Sequence, residues 1–81
     1  MSETCQTIVM GIIENSLELA PGTLKPDSNS EDIENWDSLG QLTILVALDK
    51  NFNGKVSGLS EMAEANSVNK IIKILKDNLI C

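Results

Sequence analysis

Apolar residues recur at intervals of three and four positions in three separate segments of this chain of 81 residues. Such spacing places side chains on one face of an α-helix, so each segment is predicted to be an amphipathic helix. The predicted helices span Thr4–Leu19, Ser38–Phe52 and Ser67–Ile80, and Leu79 is placed in the apolar stripe of the third. Because a chain of this length is the size of one domain, residues 1–81 are expected to share a single core.

A long polar segment separates the first two predicted helices. Pro21–Asp37 contains both prolines and is rich in Asp, Ser, Asn and Glu. Such residues favour turns with local hydrogen bonds over regular secondary structure. Its apolar residues Leu24, Ile33 and Trp36 are expected to hold the loop against the core. Connections of this length tend to be functional.

The segment between the second and third helices is shorter and less regular. Asn53-Gly54 predicts a turn, and Val56–Ala65 is predicted to be irregular with a short helix that begins at Ser60. The apolar run Ile44–Leu48 also fits a buried strand, but the longer pattern around it favours a helix. The predicted fold is therefore all-α, a small four-helix bundle of three longer helices and one short helix.

The charge balance limits the classes of partner. Six lysines, no arginine and twelve acidic residues give a net charge of −6 and an isoelectric point near 4.3. Nucleic-acid binding is not expected, because basic residues must neutralise phosphates. A protein partner with a basic docking patch suits this chain. A membrane span is not expected either, because no apolar run exceeds Ile44–Leu48.

The residue types also limit the chemistry. The sequence has no histidine, so the commonest general base and the commonest transition-metal ligand are both missing. Cys5 and Cys81 lie near opposite ends and match no zinc, redox or disulfide-framework spacing. Met1–Met10 does not have the pattern of a signal peptide. We therefore expect a cytoplasmic protein with one semi-buried cysteine and one terminal cysteine.

The most informative residues are Asp37-Ser38-Leu39, at the start of the second predicted helix. Backbone N–H groups and the helix dipole favour a negative group at that end, so a phosphate esterified to Ser38 would be well placed. The alternative is that Ser38 serves only as a helix cap, a role for which Asp37 is the other candidate.

The segment Trp36–Phe52, WDSLGQLTILVALDKNF, resembles the acyl carrier protein family. In that family an Asp-Ser-Leu triplet opens the second helix, and an aliphatic pattern follows that ends in a Phe, here Phe52. The resemblance extends over nearly the whole chain. It includes Val56, the pair Ser67-Val68 and the order of the predicted elements. The resemblance implies an acyl-carrier-like helical bundle.

The resemblance also implies a site and its partners. Ser38 would carry 4′-phosphopantetheine, transferred from coenzyme A by a separate phosphopantetheinyl transferase, the holo-carrier synthase. Asp37 would help the transferase and its metal engage the site, and Leu39 would pack beside the base of the arm. The arm would carry acyl groups as thioesters between acyl-loading and acyl-accepting enzymes. The resemblance implies a monomeric carrier. The chain is not expected to be an enzyme, since it has no base to activate Ser38.

Partner-facing residues are expected on the second helix. Leu42 and Val46 lie one turn apart beside Ser38, and of the two interpretations, core or surface, partial exposure is favoured. In the resembled family this face meets partner enzymes, and Asp49 is assigned to it as well. The loop acids are interpreted as a solvated surface.

Several residues depart from the pattern of fatty-acid carriers. Four non-acidic residues dilute the usual acids of the second helix: Gln41, Thr43, Lys50 and Asn51. Gly40 directly follows the triplet, which suggests close approach of a neighbour or mobility. A specialised pathway, such as polyketide, modified-sugar or surface-polymer synthesis, is therefore considered beside fatty acid biosynthesis, and the acyl group is left open.

Two alternatives remain. Asp49–Ser60 resembles the start of an EF-hand calcium loop, with oxygen ligands at alternating positions and Gly54 at the sixth. Its twelfth residue is Ser60 instead of the usual bidentate Glu, so a helix end followed by an Asn-Gly turn is favoured. The other alternative is a purely structural interaction bundle with an unmodified Ser38.

Overall fold

The computed structural model describes residues 5–56 and 58–80, and every regular element in that part of the chain is helical. The three α-helices are α1 (Cys5–Ser16), α2 (Ser38–Asn51) and α3 (Val68–Asp77), with a 3₁₀ helix at Ser60–Glu64 between the last two. The predicted all-α class is confirmed, and the apolar run 44–48 is helical. The predicted start of the first helix, Thr4, lies outside the described residues.

The predicted four-helix bundle is not what the structure shows, because the fourth element is only a five-residue 3₁₀ helix. Hydrogen bonding in 3₁₀ helices is poorer than in α-helices, so they rarely extend beyond one turn. The 3₁₀ helix packs between α2 and α3 and contributes the fully buried side chain of Met62. The architecture is thus three α-helices that share one core with this turn and the long loop.

The core draws side chains from every element. The buried apolar residues are Val9, Ile13, Leu17, Leu24, Trp36, Ile44, Leu48, Val56, Met62, Ala65, Val68, Ile71, Ile72 and Leu75. Leu24 and Trp36 are buried and Ile33 is partly buried against the core, as predicted for the loop. Phe52 is also partly buried against the core. The loop is therefore part of the hydrophobic core and not a peripheral connection.

The first helix ends earlier than predicted. The pattern extended to Leu19, but α1 ends at Ser16. Glu18 adopts a left-handed conformation (φ 56°). The N–H of Leu19 donates to Glu14 O at 2.8 Å, and that of Glu18 donates to Asn15 O at 3.3 Å. These two bonds form a Schellman C-cap, which reverses the chain before the proline.

The last helix ends in the same way. It was predicted to reach Ile80 with Leu79 in its apolar stripe, but α3 ends at Asp77 and Leu79 is 90% exposed. Leu79 has φ 57°, and the N–H of Ile80 donates to Leu75 O at 2.9 Å. The left-handed residue turns the chain away from the helical path, so the predicted placement of Leu79 is wrong.

Hydrogen bonds fix the long loop to α1. One carboxylate oxygen of Glu14, Oε2, accepts from the backbone N–H of Gly22 at 2.9 Å and from that of Leu24 at 3.0 Å. Gly22 has φ 87°, a conformation that glycine adopts without strain. The start of the loop is thereby held against the helix that precedes it.

The same loop is also attached to the start of α3. Ser28 O accepts from Val68 N at 3.0 Å, and Ser30 N donates to Asn66 O at 2.9 Å. An isolated antiparallel bridge pairs Asn29 with Ser67. This pairing brings the N-terminal ends of α2 and α3 to the same region of the molecule.

Two further findings bear on the sequence predictions. No helix within residues 5–56 and 58–80 has the length and apolar character needed to cross a membrane. Cys5 is disulfide-bonded, which the spacing of the two cysteines did not indicate. Isolated cysteine spacing gives no signal for such a bond, because it belongs to no framework pattern. The prediction for Cys81 lies outside the described residues.

Candidate functional site

The candidate site is the N-terminal end of α2. Asp37 has an extended backbone (φ −99°, ψ −166°), and its Oδ1 accepts from Gly40 N at 2.9 Å. Its carbonyl oxygen accepts the helical hydrogen bond of Gln41 N at 2.8 Å. Of the two candidate caps, Asp37 is therefore the N-cap and Ser38 is the first helical residue.

The triplet itself is open to solvent. Asp37 and Ser38 are both exposed, and the Leu39 side chain is 73% exposed. Backbone N–H groups of the first turn point out of this end of α2, where the helix dipole is positive. The hydroxyl of Ser38 is therefore open to solvent at the end of α2 where negative charge is stabilised.

A polar cleft of about 700 Å³ lies beside Ser38. Residues that line it from both helix ends and the loop include Ser30, Trp36, Gln41, Asn66 and Lys70. Hydroxyl, amide and ammonium groups are the donors that match phosphate and amide oxygens. The cleft is also lined by the carboxylates of Asp37 and Glu64, so its surface is polar and of mixed charge.

Gly40 allows the loop to approach the start of α2 closely. A Cβ built at Gly40 would overlap the carbonyl oxygen of Asn35 and lie 2.8 Å from Leu17 Cδ2. Asn35 Nδ2 in turn donates to Leu17 O at 3.1 Å. Of the two explanations suggested by the sequence, close approach is the one that the structure supports.

A hydrogen-bond network around Gln41 was missed from the sequence. Trp36 Nε1 donates to Gln41 Oε1 at 2.6 Å. Gln41 Nε2 donates to Met62 O at 3.1 Å and to Ala65 O at 3.0 Å. We call these three bonds the Gln41 network. A polar residue one turn after Ser38 was only a weak indication of such a network. The carbonyls that Gln41 bonds in the 3₁₀ region could not be identified from the sequence.

An exposed apolar patch adjoins the triplet. Leu39, Leu42 and Val46 are each at least half exposed, and we call them the apolar patch. The predicted partial exposure of Leu42 and Val46 is confirmed, whereas their contact with partners stays a prediction. Next to the patch, a mainly apolar groove of about 410 Å³ runs between α2 and the 3₁₀ helix, with Leu45 and Leu59 in its lining.

Asp49 has a structural contact that the sequence did not indicate. It is half-buried, and its Oδ1 accepts from Val56 N at 3.1 Å, which closes the turn after α2. Its predicted contact with partners stays untested.

The segment that resembles a calcium loop continues past Asp49. In it, Gly54 has φ 77° and Ser60 begins the 3₁₀ helix, while Ser57 lies outside the described residues. Within the described ranges, no three His, Cys, Asp or Glu side chains are grouped to hold a metal ion.

Comparison of the chain with protein-family models, with curated proteins and with solved structures found no match.

Proposed function

We propose that this chain is an acyl carrier protein whose 4′-phosphopantetheine arm is attached to Ser38. The observation that carries the proposal is the position of Ser38, exposed at the first residue of α2 and beside a polar cleft. Since Asp37 caps the helix, the hydroxyl of Ser38 is not needed for capping. An acyl-carrier-like arrangement of the helices is part of the same proposal.

Electrostatics at the helix end support a phosphodiester on Ser38. A negative group at a helix N-terminus is stabilised by about 0.3–1 kcal/mol through the dipole and the backbone N–H groups. The Asp37 carboxylate lies beside it and offers oxygen atoms of the kind that bind Mg²⁺. Asp37 thus has two functions in the proposal, as the cap of α2 and as a contact for the metal of the transferase.

Ser38 would be a substrate of the transferase and not a catalytic nucleophile. A serine hydroxyl is a weak nucleophile without a neighbouring base, and the sequence contains no histidine. When the arm is bound, its terminal thiol supplies the thioester chemistry. The residues of this chain hold the attachment point on a rigid helix and keep it accessible to enzymes.

The surroundings of Ser38 suggest how those enzymes would dock. The apolar patch gives the transferase and the acyl-loading and acyl-accepting enzymes a contact area next to the attachment point. The net charge of −6 favours partners with basic surfaces. The groove between α2 and the 3₁₀ helix offers apolar surface to an aliphatic cargo.

A labelling assay tests the proposal. The chain is incubated with Mg²⁺, a broad-specificity phosphopantetheinyl transferase and coenzyme A bearing a fluorophore on its thiol. We expect stoichiometric fluorescence on the native chain and none on Ser38→Ala. Ser30→Ala is the matched control, because Ser30 lines the same cleft, and it should label like the native chain. Label on Ser38→Ala, or none on the folded native chain, would contradict the proposal.

A further inference from the structure

The Gln41 network connects three parts of the chain that meet at Ser38. Trp36 belongs to the loop before α2, Gln41 to the first turn of α2, and the accepting carbonyls of Met62 and Ala65 to the end of the 3₁₀ helix. These carbonyls are 21 and 24 positions away along the sequence. The network is therefore a tertiary link and not a local helix contact.

The chemistry of the amide fits this place better than that of other side chains. A glutamine amide has two donor hydrogens on nitrogen and acceptor lone pairs on oxygen. Both donors face main-chain carbonyls, and the acceptor faces the indole N–H of Trp36. Leu or Met cannot form any of these bonds, and Glu can only accept. All three bonds therefore require the same orientation of the Gln41 amide group.

The position of the network relates it to Ser38. Trp36 and Gln41 lie on either side of the Asp37-Ser38 pair in the sequence, and their side chains are bonded to each other at 2.6 Å. Trp36 is buried, whereas Asp37 and Ser38 are exposed. The network therefore anchors both flanks of an exposed pair and holds the start of α2 against the 3₁₀ helix.

We propose that Gln41 is a positioning residue for the modification of Ser38. It acts through Trp36 and the 3₁₀ helix, which fix the orientation of the first turn of α2 that the transferase must recognise. This inference rests on the proposed carrier function. It adds that recognition of Ser38 depends on a contact with the second half of the chain, and not only on the Asp37-Ser38-Leu39 triplet.

The test measures steady-state kinetics of Ser38 modification by the transferase, at a temperature where circular dichroism shows each variant to be folded. Gln41→Met keeps the length of the side chain and removes all three bonds. Gln41→Glu keeps an acceptor for Trp36 but cannot donate to Met62 O and Ala65 O. Thr43→Val is the matched control, because its exposed hydroxyl only donates to Leu39 O within α2, at 3.0 Å.

We expect kcat/KM to fall about tenfold for Gln41→Met, mainly through KM, since a tenfold change corresponds to about one net hydrogen bond. Gln41→Glu should fall at least as far, because its carboxylate faces two carbonyl oxygens. Thr43→Val should keep the native value. The fluorescence of Trp36, the sole tryptophan, should shift in both Gln41 variants and not in the control.

The outcomes separate this inference from the function on which it rests. A native chain that is not modified at all overturns the carrier function and this inference with it. A native chain that is modified, with folded Gln41 variants of unchanged kcat/KM, overturns the inference alone. The same conclusion follows if Thr43→Val loses as much kcat/KM as Gln41→Met, because the effect would then not be specific to the network.

Discussion

At the scale of single residues, the start of α2 depends on Asp37, which caps it, and on Gly40, which lets the carbonyl of Asn35 approach closely. Asp37 and Ser38 were identified because a helix cap and an N-terminal serine depend only on neighbours in the sequence. Gln41 was not, because its accepting carbonyls lie 21 and 24 positions away. Gly40 was noted because glycine is a poor helix former. Its close neighbours, Asn35 and Leu17, could be identified only from the structure.

Gly40→Ala is expected to destabilise the chain, against the usual helical preference for Ala. The new Cβ would overlap Asn35 O, and overpacking of this kind costs about 1–3 kcal/mol. The matched control is Gly11→Ala in α1, where nothing lies within 4 Å of a built Cβ. Gly11→Ala should stabilise by about 0.5–1 kcal/mol. Urea unfolding measures both, and shifts of the same sign would contradict the account.

Variants at Asp37 are expected to distinguish its role as the cap of α2 from its role in recognition by the transferase. Asp37→Asn keeps an oxygen that can accept from Gly40 N, so the free energy of unfolding should change little. Asp37→Ala removes the cap and should cost about 1 kcal/mol. Because both variants lose the carboxylate, both should slow Mg²⁺-dependent modification of Ser38. Native modification rates for Asp37→Asn would show that Asp37 is a cap only.

At the scale of elements, the helix starts were predicted better than the ends. Asp37 and Ser67 are polar caps with recognisable side chains, and each accepts a hydrogen bond from the backbone N–H of the third residue of its helix. The C-terminal caps use a left-handed residue at Glu18, Asn53 and Leu79. Only Asn53, followed by Gly54, is a residue type that signals such a turn. The ends of α1 and α3 were therefore predicted too late.

Glu18→Gly is expected to stabilise the chain. Glu18 has φ 56°, a region that costs an ordinary residue roughly 1 kcal/mol and glycine almost nothing. After the greater entropy of glycine in the unfolded state is subtracted, a gain of about 0.5 kcal/mol remains. Ala47→Gly, inside α2, is the control and should cost about 1 kcal/mol. Chemical denaturation distinguishes them, and a destabilised Glu18→Gly would contradict the Schellman assignment.

At the scale of the whole molecule, periodicity predicted the all-α class and most of the core. The 3₁₀ helix was only partly predictable, because five residues provide too little periodicity to distinguish it from a short α-helix. The surface exposes the apolar patch beside the candidate site, and its contact with partners stays a prediction.

The double variant Leu42→Ser with Val46→Ser is expected to weaken partner binding without unfolding the chain. Both side chains are at least half exposed, so little burial is lost on substitution. Residues central to an interface typically contribute about 1–2 kcal/mol, so the KM of an acyl-loading enzyme should rise roughly tenfold. Leu79→Ser, at an apolar residue that is 90% exposed, is the control and should leave KM unchanged. Equal effects of both changes would exclude a specific role for the patch.

The attachment of the arm to Ser38 is tested by the intact mass of the native chain after incubation with unlabelled coenzyme A, Mg²⁺ and the transferase, followed by fragmentation. We expect a gain of one phosphopantetheinyl group, located by the fragments on Ser38. A folded chain of unchanged mass, or a group located on another residue, would contradict it.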